Sequence, residues 1–546
     1  MTEQISIGAM TLAGFALLQK CALSLIRRFK IMGEEEIEQK TAIKQYMTDK
    51  HITAIQYTGM ALLLFFFFWI TRHAIFGAQE EYGLFYIVQK GDFSAWLNSV
   101  SRSSGRITFY VLGWFWAGPM WFSDPIVYKI FICLLTTLDV MVFYRLLSVH
   151  VNRRFAAFSV TFLIIMFQIS SQHNLLIAYN YLHIPFILLM LSAHFLLKYC
   201  KGMMGYKAMI LSALCSFAAS WFQENFVLFY FFSFCIMFYY AKERGFWKRV
   251  GNSLWKLKFH VLGGVIFLTS YFLFRFFCST GSYSGNEICL SQPMTSLKVL
   301  GNFIVGMAPG RTFEVLSENV GIGNLLQFVG KKDFIIIILG TVFICFLLHR
   351  IRPFKKSIWL YGALALCSVL ACILHSVSLQ YVTWVSGGAT YAYVPSYYCC
   401  FFINTIICLL VHEIYGRLKK NGKRVIMVIF AVGILVFSTM TVATNKYYDR
   451  EYQTKFNHYE TYRDFFEDGG IDDWEDKAQV LLDDDYPVFA EDIHQCMTTV
   501  RYDAFFFTVT TDINKIDKSR NYYVLTYKHD KIEARAMPAE DALDNK

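Results

Sequence analysis

The 546-residue chain has no Walker A sequence, no HExxH and no GxSxG motif, and none of its 14 cysteines forms a CxxC pair. These absences remove the usual signatures of an ATP-driven pump, a membrane metalloprotease and a thiolate zinc site. No internal repeat is visible, and the acidic runs at 472–473 and 483–485 lack EF-hand spacing, so they read as solvated turns. The apolar run at 5–18 has no basic residue before it and no small-residue cleavage site after it. It is a poor signal peptide, and with Lys20 in its continuation it reads more readily as an interfacial helix than as a span.

What the chain has is apolar surface. It is 55% hydrophobic and 18% aromatic, with mean hydropathy +0.39. That is too apolar for an ordinary soluble protein. Repeated apolar runs approach the length of about 20 residues that a transmembrane helix needs. They place the chain among α-helical polytopic membrane proteins. The cysteines at 133, 215, 345 and 367 fall in such runs and act there as small apolar residues.

The first firm span is 54–70, and the next is 125–147. Between them 107–122 carries three tryptophans and a proline, which suits a short helix on the outer surface. The distribution of cations decides that choice. With 107–122 outside, the basic residues Arg153, Lys201, Lys248, Arg350 and Lys419 with their neighbours all fall in inward loops. The short outward loops 171–180, 222–224 and 381–388 carry no lysine or arginine. Counting 107–122 as a full span would invert this pattern, against the positive-inside rule. The net charge of +10 is therefore a topology signal, with no nucleic-acid partner implied.

The further spans are read at 155–170, 181–199, 208–222, 225–241, 259–278, 334–348, 357–379, 389–411 and 425–444, for a total of about eleven. The organisation is then a cytoplasmic or interfacial segment at 1–53 and a bundle at 54–445 with outward loops 71–124 and 279–333. A small extracytoplasmic α/β or α+β module follows at 446–546. Its helical pattern Tyr452/Phe456/Tyr459/Phe466 precedes strand-like runs at 486–490, 504–510 and 521–527. Cys278 and Cys289 flank an outward segment where a disulfide would persist; a bridge and two free thiols both remain open.

Chemistry is expected on the charged outward loop 77–106, where a membrane-borne substrate would meet polar groups. Glu80 and Glu81 can accept a proton from a hydroxyl or bind a divalent cation; the bland alternative is a pair of solvated acids. Asp92 is a third acid on the same loop. Arg275, within a turn of the outer end of its span, either snorkels to lipid phosphate or grips an anion. Arg106 and Arg311 are similar phosphate-binding candidates, because a guanidinium engages phosphate bidentately. Asn180, Glu224 and His375, with His173 and His183, edge an outward cavity. Asp139, deep in a span, reads as a packed acid bonded to Thr136 or to a neighbouring helix, with a proton path as the alternative.

This order of features resembles the integral-membrane GT-C glycosyltransferases, most of all the bacterial type that uses polyprenyl-phosphate sugars. The residues that carry the likeness are EEY after the first span, where relatives often have DDY, then GR in SRSSGRI, then the short outer helix. The span FYRLLSVHVNRRFAAFSVTFLII and the outward AYNYLHIPF complete it. The resemblance implies a multi-pass protein of the bacterial cytoplasmic membrane with its C-terminus outside. Glu80 or Glu81 would be the general base, and arginines would hold the departing lipid phosphate. The partners implied are a polyprenyl-phosphate-sugar donor and a glycan acceptor, bound in part by the tyrosines of the C-terminal module. No nucleotide cofactor is required. A transporter or flippase of a lipid-linked glycan would share the cavity and basic inner loops, but inverted repeats and broken midplane helices are not visible. A non-catalytic scaffold is the third class.

Overall fold

The computed structural model describes residues 39–170, 173–280, 287–351, 354, 358–386, 392–470, 478–483, 508–528 and 531–538. The expectations for the apolar run at 5–18, the strand at 486–490 and the acidic residues 472–473 and 484–485 lie outside them. The chain is an α-helical polytopic membrane protein carrying a small sheet module. Among the described residues, eight helices are long and apolar enough to cross a bilayer by length and composition. They are α1 (Gln39–Ile70), α5 (Ile126–His150), α7 (His183–Cys200), α11 (Lys258–Cys278), α15 (Lys331–Arg350), α16 (Ile358–Ser376), α18 (Val394–Arg417) and α19 (Lys420–Glu467). The other three expected spans form shorter helices: α6 (Arg153–Ile165), α8 (Tyr206–Phe222) and α9 (Phe229–Tyr240).

Helix α6 explains why a short helix suffices. Asn152 caps it, its Oδ1 accepting from the amides of Arg154 at 2.9 Å and Phe155 at 3.0 Å. Residues from Phe155 through Ile164 are all buried, packed by α1, α5, α15 and α18. A helix enclosed by protein need not match the lipid thickness. The reading of 155–170 as one span is corrected accordingly: the helix stops at Ile165, and residues 166–170 and 173–179 are buried but irregular.

Irregular backbone inside a bundle is tolerated only where its polar groups find partners. Here α19 supplies one of them. Asn445 accepts from the amide of Ile169 and donates to the carbonyl of Phe167, both at 2.8 Å. Asn174 donates to Gln168 O at 3.1 Å. His173 N and Ile177 O bond to the O and N of Gly77, each at 3.0 Å. Gly77 has no room for a side chain, since a Cβ there would lie 2.4 Å from Ile177 Cγ1.

The segment 77–106 is a pair of helices, not an open loop: α2 (Gln79–Lys90) and α3 (Phe93–Ser104). Acidic residues at the α2 N-terminus suit the helix dipole. Each helix ends on a left-handed glycine, Gly91 at φ 87° and Gly105 at φ 65°. The next residue's amide bonds back across the turn, from Asp92 to Ile87 O and from Arg106 to Ser101 O. After them come α4 (Phe109–Ala117) and a 3₁₀ turn, Gly118–Trp121, so 107–122 forms a short helix and a turn and no full span.

Further along come α10 (Phe246–Lys256), α12 (Pro293–Val305), α13 (Arg311–Val320), α14 (Ile322–Leu326) and α17 (Leu379–Ser386). Cys278 and Cys289 are free thiols, so the bridge between them is not formed. Helix α19 runs unbroken for 48 residues, about 72 Å at 1.5 Å per residue. The composition change at 446 therefore falls inside one helix. Its far end carries a sheet with strand order β2-β1-β3-β4: β1 (Gln479–Asp483), β2 (Thr508–Thr510), β3 (Tyr522–Lys528) and β4 (Lys531–Met537). The β1 pairs are parallel and β3–β4 is antiparallel. His458 of α19 stacks on Tyr527 of β3, centroids 3.8 Å apart.

Candidate functional site

The two adjacent glutamates have opposite environments. Glu81 is completely buried. Its carboxylate accepts from the Gly77 amide at 3.2 Å, the Tyr179 amide at 2.7 Å, Trp116 Nε1 at 3.2 Å and the Tyr128 hydroxyl. Those four donors join α2, α4, α5 and the irregular 173–179 stretch at one side chain. Burial pushes its acid up to about 8, although each of the four donors pulls the other way. Glu80 is exposed, and its Oε2 accepts from the Tyr179 hydroxyl at 3.2 Å.

Tyr179 is itself held in place. Its ring lies parallel to that of His173, and His173 Nδ1 is 2.5 Å from the Tyr179 hydroxyl. With the Tyr179 proton directed to Glu80, the His173 tautomer that completes the chain carries its proton on Nδ1. Burial keeps the His173 ring neutral by lowering its pKa. These two are the non-glycine residues with positive φ among the described residues, each at 53°. Such a backbone costs of order 1–3 kcal/mol per residue and persists only when its surroundings fix it. The strain sits on the two side chains that lead to Glu80.

Beyond them is an aromatic wall. His173 stacks near Trp384 at 6.2 Å and touches Tyr393 at 5.0 Å, and Tyr393 packs on Tyr381 at 4.7 Å. His375 lies behind Tyr381, ring centroids 5.3 Å apart, with its ring nitrogens on Asn225 Nδ2. Trp384 and Tyr393 are half-buried.

On the other side stands the charge cluster. Arg106 binds Glu224 through two nitrogens, Nε at 2.6 Å and Nη2 at 3.0 Å, and reaches Gln223 Oε1 at 3.1 Å. Thr108 donates to the same carboxylate at 3.3 Å. Arg275 joins this group. It lies within electrostatic reach of Tyr271, as do Glu224 and Arg106, and a Cβ on Gly105 would lie 3.5 Å from its Cγ. Arg275 is exposed where Arg106 is half-buried. Tyr181 lies between the two sides, within electrostatic reach of Arg106, Glu224, Glu80 and Glu81.

The residues singled out from sequence thus divide. Glu80, Glu81, Arg106, Glu224, Arg275 and His375 are gathered at one end of the bundle. Asn180 is buried, donating to the carbonyls of Phe115 at 3.0 Å and Trp116 at 3.2 Å, so it fastens α4 and does not face a cavity. Asp92 sits at the opposite end of α2 from Glu80, about 18 Å away along the helix axis at 1.5 Å per residue. Arg311 pairs with Glu314 at 2.8 Å, beside a turn at Gly310 that packs on Phe437 and Met440, and is not among the cluster's partners. Asp139 bonds His183 Nδ1 at 2.6 Å and the Tyr397 hydroxyl at 2.7 Å, so its partners are neighbouring helices and not Thr136. Sequence reasoning missed Tyr179, Trp384 and Tyr393, which carry no motif of their own; only the density of aromatics in AYNYLHIPF hinted at the first.

A divalent cation does not fit this donor set. Glu81 is filled by four donors, Glu224 by Arg106, and among the described residues no group of three His, Cys, Asp or Glu converges.

No protein-family model matches the sequence, and no curated protein matches it. Among solved structures, the crystal structure of ArnT from Cupriavidus metallidurans in the apo state aligns over 88% of this chain and 93% of that chain, at 10% identity and a TM-score of 0.34. A score of that size sets no fold in common, and the functional reading rests on this chain's own residues.

Proposed function

We propose that the chain is a membrane glycosyltransferase of the GT-C type. It would move a sugar from a polyprenyl-phosphate-linked donor to an extracytoplasmic glycan or lipid-linked acceptor. The observation that carries the reading is the pairing at one end of a membrane bundle of an exposed, oriented carboxylate with an exposed guanidinium. The carboxylate is Glu80 beneath Tyr179, and the guanidinium is Arg275, whose stem lies against Gly105, the residue before Arg106. Glu80 and Arg106 stand at the EEY and GR positions of the family resemblance.

In this mechanism Glu80 takes the proton of the acceptor hydroxyl as its oxygen attacks the anomeric carbon. The bond from that carbon to the lipid phosphate breaks, and the phosphate leaves with the electron pair. Arg275 meets the departing anion first, and the Arg106–Glu224 pair sets its position and adds positive field behind it. Tyr179 and His173 hold Glu80 in the orientation for proton transfer. The ring faces of Trp384 and Tyr393 suit a pyranose, whose C–H face packs on aromatics. Glu81 is the structural partner of the pair, since all four of its bonds are already made.

The experiment is transfer of labelled sugar from polyprenyl-phosphate donors in membranes holding the protein. It is paired with mass spectrometry of envelope glycans from cells with and without it. Transfer and a glycan species that disappears with the protein are expected. Unchanged glycans together with translocation of a lipid-linked glycan would identify a flippase instead.

A further inference from the structure

The segment 242–258 has six cations, Lys242, Arg244, Lys248, Arg249, Lys256 and Lys258, against a single acid, Glu243. Its helix α10 (Phe246–Lys256) has two faces. Phe246, Val250 and Leu254 recur every fourth residue with Trp247 and Trp255 beside them, while Lys248, Asn252 and Lys256 line the other side. In a soluble helix the apolar side would be buried. Here it is the exposed one: Trp247 is 80% exposed, Trp255 70% and Phe246 60%, and Ser253 is the only buried residue of the helix.

The protein holds α10 by its narrow edge. Arg249 donates to Phe238 O at 2.7 Å and lies over the Phe238 ring, and Asn252 bonds Glu243. Gly245 at φ 101° turns the chain into the helix, and one residue, Leu257, separates it from the spanning helix α11. At that junction Lys258 Nζ lies 5.0 Å from the Trp255 ring and 5.5 Å from that of Phe259. Cation and aromatic rings therefore share one depth, as they do at the headgroup level of a bilayer.

We propose that α10 is a lipid-recognition element that lies in the membrane interface, its Phe246/Trp247/Trp255 face in the acyl boundary and its lysines on anionic headgroups. Continuity with α11 puts the helix at the bilayer surface, and the excess of cations selects anionic over zwitterionic lipid. Each lysine near an anionic surface contributes about a fivefold preference.

The test places the photo-crosslinker benzoylphenylalanine at position 247 of the full chain, in nanodiscs of phosphatidylcholine with or without phosphatidylglycerol. Mass spectrometry then identifies the adducts. Acyl-chain adducts enriched in phosphatidylglycerol are expected, with the enrichment reduced by the double substitution Lys248→Gln, Lys258→Gln. Crosslinks between two copies of the chain, or to a soluble protein when irradiation is done in cells, would overturn the lipid assignment, as would the absence of lipid adducts. Adducts whose lipid ratio ignores the double substitution would overturn the headgroup selectivity.

Discussion

At the scale of single residues, Glu80 and Glu81 show what sequence spacing conveys and what it omits. The pair is visible as EEY after a span, and nothing in the string says which carboxylate faces solvent. The helix decides it. Consecutive helical positions are about 100° apart, so one glutamate enters the core between Trp116 and Tyr128 while its neighbour stays outside. The buried acid has a pH signature. Its folded pKa of about 8 lies above the unfolded value near 4.5, so its contribution to stability is full below 4.5 and lost as pH rises through 8. Melting of the detergent-solubilised protein should therefore show stability falling from about pH 5 to about pH 8, and Glu81→Gln should flatten that slope. An unchanged slope in the variant would show that another group is responsible. Gly105 is a second residue-scale case. Its φ is 65°, which an L side chain rarely adopts, and an added Cβ would lie 2.9 Å from Ser279 Oγ, so that serine would have to move. Gly105→Ala should cost about 1–3 kcal/mol and displace Arg275 from its place against Gly105, read as weakened donor use in the transfer assay.

At the scale of elements, most spans were legible because an apolar run bounded by charges has few other meanings in a bilayer. Two elements were not. The 155–170 run reads as a span because its composition is uniformly apolar. Its last residues leave the helix because side chains far along the chain, Asn445 above all, satisfy the exposed backbone. The segment 77–106 reads as a loop because its charges mask two short helices. Both are stabilised from a distance, by Glu81 contacts and by the tail of α19. That tail is docked through Asp449, which accepts from His73 N at 2.7 Å, Ala74 N at 3.1 Å and His73 Nδ1 at 2.8 Å, and through Tyr459, whose hydroxyl donates to Tyr82 O at 2.8 Å. Asp449→Ala leaves two amides without their acceptor and should destabilise the protein by about 2–3 kcal/mol. Limited proteolysis should then cut near residues 71–78 faster than in the parent. Equal protection would mean the outer helices are held by the bundle alone.

At the scale of the whole molecule, the distribution of cations and the position of the sheet at the end of α19 together support one orientation in the membrane. We propose Arg153, Lys248 and Lys419 inside, with 77–122 and the C-terminal module outside. Cysteines introduced at Ser123 and Asn521 should react with an impermeant maleimide on intact cells, and one near Lys419 should not. The reverse pattern would place the candidate site in the cytoplasm and rule out an extracytoplasmic acceptor. The site's grouping was partly legible, since Arg106, Glu224, Arg275 and His375 come from separate span ends that the topology brings to one level. The aromatic wall was not, because tyrosine and tryptophan are abundant throughout this chain and only their contacts distinguish Tyr179, Trp384 and Tyr393.

The paired glutamates, one exposed and one buried, should differ most sharply in catalysis. Loss of a general base typically lowers a rate by about 10²–10⁴. Sugar transfer from labelled polyprenyl-phosphate donors should therefore nearly vanish with Glu80→Gln in membranes where the protein level matches the parent. With Glu81→Gln, the surviving folded protein should keep its turnover within several-fold while losing stability. Transfer by Glu80→Gln within a few-fold of the parent, measured at equal folded protein, would contradict Glu80 as the base.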